Sequence, residues 1–458
     1  MPPLETKRRD RTYVIQGRTD TEAERLAYML QNMPGNKAYQ YAGETQGGDP
    51  DGRLLEEFRS RFERYRESWR RIPQYAIAHH LHHESFREAG LQPLCVDIET
   101  SAICDLACPF CFRQWIATPD RVMRAELFHR IIDQCKELGV PSVKLNWRGE
   151  PLLHPKLPQF IAYAKRAGVL ETIINTNAVT LDENKARALI ESGLDLMIYS
   201  FDGATKQTYE RMRVGRFREN SFDRVYQNIR RFAAIREEMG SPFPRTKIQM
   251  ILTEDTREEQ DSFFALFGDY VDDVAVKAYT ERGGKLRDLD EEARKKLESC
   301  VQKHEIQEDA ATWGDMDGNL YVSDGRLPCE QPYQRLMITH DGRVSMCCYD
   351  WGMEYPIGYV SEDGYRCGDR DYEIVIEKAR MRARGFEQLA RVQMPRRFTS
   401  PAKRVSTLSE LWHGAIINDL RQKHLENRIE EIPVCRRCSF KETYRWIKIG
   451  LGNESANC

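Results

Sequence analysis

The run CDLACPFCF places Cys104, Cys108 and Cys111 in a C-x3-C-x2-C triad. Three thiolates at this spacing suit an iron–sulfur cluster, in which three irons are held and the fourth stays open to a substrate or cofactor. A structural zinc site wants four ligands, usually in close pairs, and no fourth cysteine or histidine stands beside this triad. A second set lies downstream. Cys329 opens CEQPYQRLMITHDGRVSMCCYDWG, Cys347 and Cys348 stand near its end, and Cys435 and Cys438 follow in CRRC. The DG turn inside LMITHDGRVSMC reads as a β-hairpin that brings the flanking cysteines together, so four thiolates can meet. Spacing alone leaves this second set open between a cluster and a four-cysteine zinc knot.

The elements that must position the triad are legible around it. CVDIET (95–100) reads as a buried strand, and VMRAELFHRIIDQCKELG follows as a helix after a linker. The strands SVKLNW, TIINTN, LMIYSFDG, KIQMILT and DVAVKAY then alternate with helices such as LPQFIAYAKRAG, ENKARALIESG and DRVYQNIRRFAAIREEMG. That alternation predicts parallel strands with crossover helices, about six in all, and so an α/β partial (β/α)6 TIM-like barrel. Polar side chains at the C-terminal ends of parallel barrel strands line the site of such folds. Asn175, Thr176 and Asn177 end one strand here, and Ser200 and Asp202 end the next.

With Phe110 just before its last cysteine, the triad motif resembles that of the radical SAM superfamily. RGEPLLHP (148–155) resembles the family's GGE motif, which hydrogen-bonds the amino group of S-adenosylmethionine. Gly149 and Glu150 keep the backbone approach and the carboxylate acceptor; Arg148 departs from the usual first Gly, and only a local change of loop geometry is expected. The resemblance implies that Asn175, Thr176 and Asn177 line the nucleoside site and that Ser200 and Asp202 are ribose and carboxylate contacts. In ATKQTYERMRVG it places Arg213 against the methionyl carboxylate, where a bidentate pair would suit it; the alternative for Arg213 is a solvated surface. It further implies that a reduced [4Fe–4S] cluster on Cys104, Cys108 and Cys111 cleaves S-adenosylmethionine to a 5'-deoxyadenosyl radical, which takes a hydrogen atom from a substrate C–H bond. A flavodoxin, ferredoxin or other reductase would supply the electron.

The C-terminal block resembles the SPASM/twitch extension of these enzymes, in its CxxPY opening, hairpin, CC pair, IGYV strand and TLSELWHG helix start. In that family the extension binds auxiliary [4Fe–4S] clusters. A full SPASM domain needs a further C-x5-C-x3-C-like run after the first CxxC, and after Cys438 only Cys458 remains. The shorter twitch arrangement is therefore expected, with one auxiliary cluster on Cys329, Cys347, Cys435 and Cys438. Cys348 could replace Cys347.

The expected organisation is an N-terminal mostly helical segment (1–90), the barrel (91–280), a linker insertion (281–326) and the auxiliary domain (327–458) with an inserted, basic 361–405 region. LLEEFRSRFERYRESWRRI puts Leu55, Phe58, Phe62, Tyr65, Trp69 and Ile72 on one face of an amphipathic helix expected to pack on the barrel. The HHLHH run (79–83) could bind metal, though no carboxylate or cysteine converges on it. Cys95 and Cys135 read as buried packing, and Cys458 as a disordered terminus. Cys300 and Cys367 stand in charged surroundings, where a thiol could donate a hydrogen atom to a substrate radical. Charge is balanced, with 69 basic against 71 acidic residues, so neither nucleic acid nor an anionic membrane is expected as a partner. No apolar run reaches the ~20 residues of a membrane span and no signal-peptide region opens the chain; with 13 cysteines in clustered metal-ligand spacing, a cytoplasmic location follows. The expected activity is that of an oxidoreductase which dehydrogenates or epimerises a sugar or aminocyclitol-like substrate. The rivals are a maturase acting on a precursor peptide or protein residue and, in another class, a non-catalytic zinc-binding scaffold.

Overall fold

The computed structural model describes residues 53–111, 113, 119–253, 255–278, 312–314, 320–366, 401–436, 438, 440 and 443–449. Six strands, β1 (Cys95–Ile98), β2 (Ser142–Lys144), β3 (Glu171–Thr176), β4 (Leu196–Ser200), β5 (Arg245–Leu252) and β6 (Asp273–Ala278), lie side by side in chain order and parallel. Their residues are buried almost without alternation, as strands covered on both faces must be. The covering helices are α2 (Ala125–Glu137), α3 (Leu157–Arg166), α4 (Glu183–Glu191), α5 (Lys206–Met212), α6 (Phe222–Glu238) and α7 (Gln260–Phe267), with α1 (Arg53–Ala78) preceding the sheet. Their apolar residues recur at helical spacing: α2 buries Leu127, Phe128, Ile131, Ile132 and Cys135, and Phe128 stacks on Phe160 of α3 at 3.9 Å. Asp182, Thr205 and Ser221 each accept a backbone N–H at the start of α4, α5 and α6. The result is the partial barrel expected from the alternation, an open sheet rather than a closed ring.

The sheet does not end at β1. After β7 (Thr312–Gly314) and β8 (Leu320–Arg326), strand β9 (Arg335–Ile338) pairs parallel with β1 over its whole length, from Cys95↔Arg335 to Ile98↔Ile338. Strands β10 (Arg343–Ser345) and β11 (Pro356–Tyr359) continue from it antiparallel, giving nine strands in the order β11-β10-β9-β1-β2-β3-β4-β5-β6. The predicted hairpin is β9–β10. Gly342 turns it with φ of 91°, and a Cβ there would come within 2.6 Å of Ser361 Cβ. A separate antiparallel sheet joins β7, β8 and β12 (Tyr444–Ile449); the sequence reading contained no counterpart of it.

Helix α1 docks as expected: Phe62, Tyr65 and Trp69 bury against Leu94 and Cys95, with Ile72 and Leu170 alongside. Large apolar side chains contribute about 1.5–3 kcal/mol each when buried, enough to fix the helix to the sheet despite its arginines. The side chains of Leu55 and Phe58 lie outside the described residues. Near the C-terminus, α8 (Leu408–Trp412) begins in a capping box between Thr407 and Glu410, and α9 (Ala415–Leu425) follows it. Cys95 and Cys135 are buried, as read. Cys300, Cys367, Cys458 and most of the 281–326 and 361–405 insertions lie outside the described residues. Among the described residues, no helix is long and apolar enough to cross a membrane.

Candidate cluster and cofactor site

The triad loop leaves the C-terminal end of β1 and is held from two sides. On one, the N–H of Glu150 donates to the carbonyl of Ile103 at 2.7 Å, and Gly149 lies so close that a Cβ would be 2.1 Å from Ser101 O. This contact is why a glycine must precede Glu150. On the other side, Ala107 N–H donates to Val214 O and Arg216 N–H to Asp105 O, both at 2.8 Å, while Arg216 pairs with Asp120 through two 2.7 Å bonds. Burial pushes all three thiols up, Cys108 to about 12 even though Arg213 pulls the other way. Ligand thiolates here would form as a metal displaces their protons.

Glu150 gathers the residues from the end of β3. Its Oε1 accepts from Thr176 Oγ1 at 2.7 Å and Leu152 N–H at 3.0 Å, and its Oε2 from Asn177 N–H at 2.7 Å. A carboxylate offers about four lone-pair positions, so these three donors leave room for one more, such as an ammonium. Burial, followed by the charge of nearby Asp105, raises Glu150 to about 7. Asn177 Nδ2 donates to Asp105 Oδ1 at 2.7 Å. Among the described residues, the buried atoms Asp105 Oδ2 and Asn175 Oδ1 have no hydrogen-bond partner. Buried polar atoms are rarely left so, and acceptors beside a carboxylate with one free position fit the amino and hydroxyl donors of a nucleoside that carries an amino acid. Asp105 was not singled out in the sequence; its place inside the triad loop was the available signal.

Ser200 and Asp202 sit at and just past the end of β4. Asp202 accepts the N–H of Ile251 at 2.8 Å and pairs with Arg213 at 2.5 Å. Arg213 is no solvated surface residue: its guanidinium lies 5.5 Å from the Phe110 ring centre and its Nη1 is 3.9 Å from Cys108 Sγ. Phe110, Cys108, Asp202 and Arg213 are thus one group, with the arginine turned toward the aspartate.

Arg148 departs furthest from expectation. Rather than reshaping only its own loop, it forms a bidentate pair with Glu99 at 2.7 and 2.8 Å, both side chains fully buried, and donates to Trp351 O at 2.8 Å. The same Glu99 accepts from His340 in the hairpin turn, through its backbone N–H at 3.2 Å and its Nδ1 at 3.1 Å. Burial would raise Glu99, but Arg148 and His340 outweigh it and hold the carboxyl at about 2. Beside it, Trp147 Nε1 donates to Cys348 O at 3.1 Å. The segment after β2 that carries the Gly149-Glu150 pair is therefore tied to the loop carrying the CC pair. A charged residue where glycine is usual was the only sign of this in the sequence.

The second cysteine set converges from three segments. Cys329 precedes the hairpin, Cys347 follows it, and Cys435 and Cys438 come from the helical turn Pro433–Arg436 and the residues after it. The thiols of Cys329, Cys347 and Cys438 each accept the N–H two residues downstream, at 3.4, 3.3 and 3.3 Å. Such donors favour the thiolate form of a ligand. The thiol of Cys347 hydrogen-bonds that of Cys348 and stands close enough to Cys438 and Cys329 to feel their charge, and the Cys348 Sγ also reaches Gln331 Oε1 at 3.8 Å. His424 touches both ends of the set: its Nδ1 accepts from Cys329 N–H at 3.2 Å and its Nε2 lies 3.6 Å from Cys435 Sγ. Among the described residues, no group of three or more His, Cys, Asp or Glu is drawn tightly around a single-ion position, and the HHLHH run forms none. A multi-iron cluster spreads its thiolates wider than one ion does.

Comparison with known proteins fits this geometry. The radical SAM superfamily profile matches residues 98–262, and the SPASM iron–sulfur cluster-binding domain matches residues 329–367. The GTP 3',8-cyclase of Chlorobaculum tepidum is 29% identical over 140 residues, 30% of this chain and 41% of that one. A probable GTP 3',8-cyclase of Methanopyrus kandleri is 32% identical over 167 residues, 36% and 50% of the two chains. The PqqA peptide cyclase of Gluconobacter oxydans is 33% identical over 126 residues, 26% and 33%. The chain thus spans a third to a half of these curated relatives. Among solved structures, BtrN in complex with AdoMet and 2-DOIA covers 76% of this chain and 94% of its own at 14% identity and a TM-score of 0.40. The Streptococcus suis protein SuiB bound to precursor peptide SuiA covers 58% and 62% at 19% and 0.42. The profile matches bring S-adenosylmethionine, a [4Fe–4S] cluster and auxiliary iron–sulfur binding with them, and they set aside the zinc scaffold. Residues 98–262 thus carry a radical SAM domain, and residues 329–367 carry a SPASM iron–sulfur cluster-binding domain behind the partial barrel.

Proposed function

We propose that this enzyme is an oxidoreductase that removes hydrogen from a C–H bond of a carbohydrate-like substrate, by dehydrogenation or epimerisation. In this reading Cys104, Cys108 and Cys111 hold the S-adenosylmethionine-binding cluster, and Cys329, Cys347, Cys435 and Cys438 hold one auxiliary cluster. When bound, these groups supply the one-electron chemistry that side chains lack. Glu150, with Thr176 and Asn177 fixing its oxygens, takes the amino group of S-adenosylmethionine. Arg213 exchanges part of its bond to Asp202 for the methionyl carboxylate, which frees Asp202 for the ribose. Asn175 and Ser200 border the nucleoside. The observation that carries the oxidative reading is the four-thiol set, the one such set among the described residues beyond the triad, which provides a place for an electron from the substrate to go.

A second reading, modification of a precursor peptide, is favoured by the similarity to a peptide cyclase. Deuterium transfer separates the two. Reconstituted enzyme with a reductant such as flavodoxin is incubated with carbon-deuterated polyols and aminocyclitols, and separately with deuterated candidate peptides. Deuterium in 5'-deoxyadenosine from a polyol supports the first reading; transfer from a peptide alone replaces it with the second.

A further inference from the structure

We propose that His424 is a positioning residue of the auxiliary site, locking the Cys329 and Cys435 segments together and setting the reduction potential of the cluster they hold through an Nε2–H···Sγ hydrogen bond. This rests on the assignment of the four cysteines given above. His424 lies near the end of α9, 1% exposed. Its Nδ1 receives the N–H of Cys329 at 3.2 Å, and a ring nitrogen that accepts carries no proton. The one ring proton is therefore on Nε2, which faces Cys435 Sγ at 3.6 Å and must donate to it. The tautomer follows from the backbone donor and needs no assumption about pH.

Cys329, Cys347 and Cys438 each take an N–H from their own chain two residues on, a bond that any residue there except proline would supply. Cys435 takes its donor from a side chain on another element. Hydrogen bonds to ligand sulfur stabilise the added negative charge of the reduced cluster and so raise its potential. The donors to Cys329, Cys347 and Cys438 are written into the backbone, whereas the His424 donor is one that a substitution can remove. The guanidinium of Arg326, at 3.1 Å from Cys435 O, secures the same turn.

The test compares His424→Leu, which keeps bulk and loses both polar atoms, with His424→Gln, whose amide can accept from Cys329 N–H and donate to Cys435. Iron per chain is counted, and both clusters are titrated anaerobically by electron paramagnetic resonance. The auxiliary wave of the Leu variant should move to lower potential with the triad's wave unmoved, and Gln should return it part of the way. Loss of about four irons in Leu but not in Gln equally supports the proposal. Full iron with an unmoved auxiliary wave in both variants overturns it, as does equal iron loss in both, which would make the ring's packing rather than its N–H decisive. Wild-type protein with about four irons, all lost on substituting Cys104, Cys108 and Cys111, would instead overturn the auxiliary-site reading itself, and this proposal with it.

Discussion

Cys104, Cys108 and Cys111 come from one loop after β1, whereas Cys329, Cys347, Cys435 and Cys438 arrive from three segments that meet only in the folded chain. The loop is shaped by backbone bonds to its neighbours, from Glu150 N–H to Ile103 O and from Ala107 N–H to Val214 O. The convergent set depends on a hairpin turn at Gly342, a histidine on α9 and an arginine on β8. A site built on one loop tolerates change elsewhere; a site built by convergence inherits the stability of everything that brings it together.

The sharpest break in that comparison is substitution of Cys104, Cys108 and Cys111 by Ala. Iron per reconstituted chain should fall from about eight to about four, and S-adenosylmethionine cleavage should cease. Next, Cys435→Ala with Cys438→Ala should also cost about four irons yet keep cleavage of S-adenosylmethionine while substrate turnover stops; normal turnover would mean that the second set is not needed for the reaction. Third, Arg148→Ala leaves Glu99 buried without its guanidinium, and breaking a buried pair in this way costs about 3–5 kcal/mol, to be read from anaerobic denaturant unfolding. The smallest effect is the pH dependence of that loss. In the native chain Glu99 is held at about 2, below its unfolded value of 4.5, so its stabilisation is complete at neutral pH and is lost progressively as pH falls from 4.5 through about 2. Without Arg148, burial dominates and raises Glu99 above its unfolded value, so the gap to the native chain should narrow as pH falls from 8 to 5.5.

The same contrast explains what could be read from the sequence. The triad, the Gly149-Glu150 pair and the polar ends of β3 and β4 are local patterns, and the structure groups Glu150 with Thr176 and Asn177, and Phe110 with Asp202 and Arg213. The six parallel strands were legible because apolar runs alternate with helical periodicity. What escaped was long-range. Nothing near Arg148 names Glu99 or Trp351 as its partners, and nothing near His424 names two cysteines on other segments. The pairing of β12 with β8 joins two short strands whose apolar residues do not announce a register.

The pairing of β9 with β1 also has a bearing on how the chain is made. When the barrel segment has left the ribosome, β1 has a neighbour on the β2 side alone; the strand that completes its other edge lies 240 residues further along, at Arg335–Ile338. Through that interval the nascent protein presents an unpaired strand edge, the feature by which sheets recruit foreign strands. A fragment ending at β6 should therefore aggregate where the longer chain does not, and successful expression depends on keeping that edge shielded until residue 338 is released.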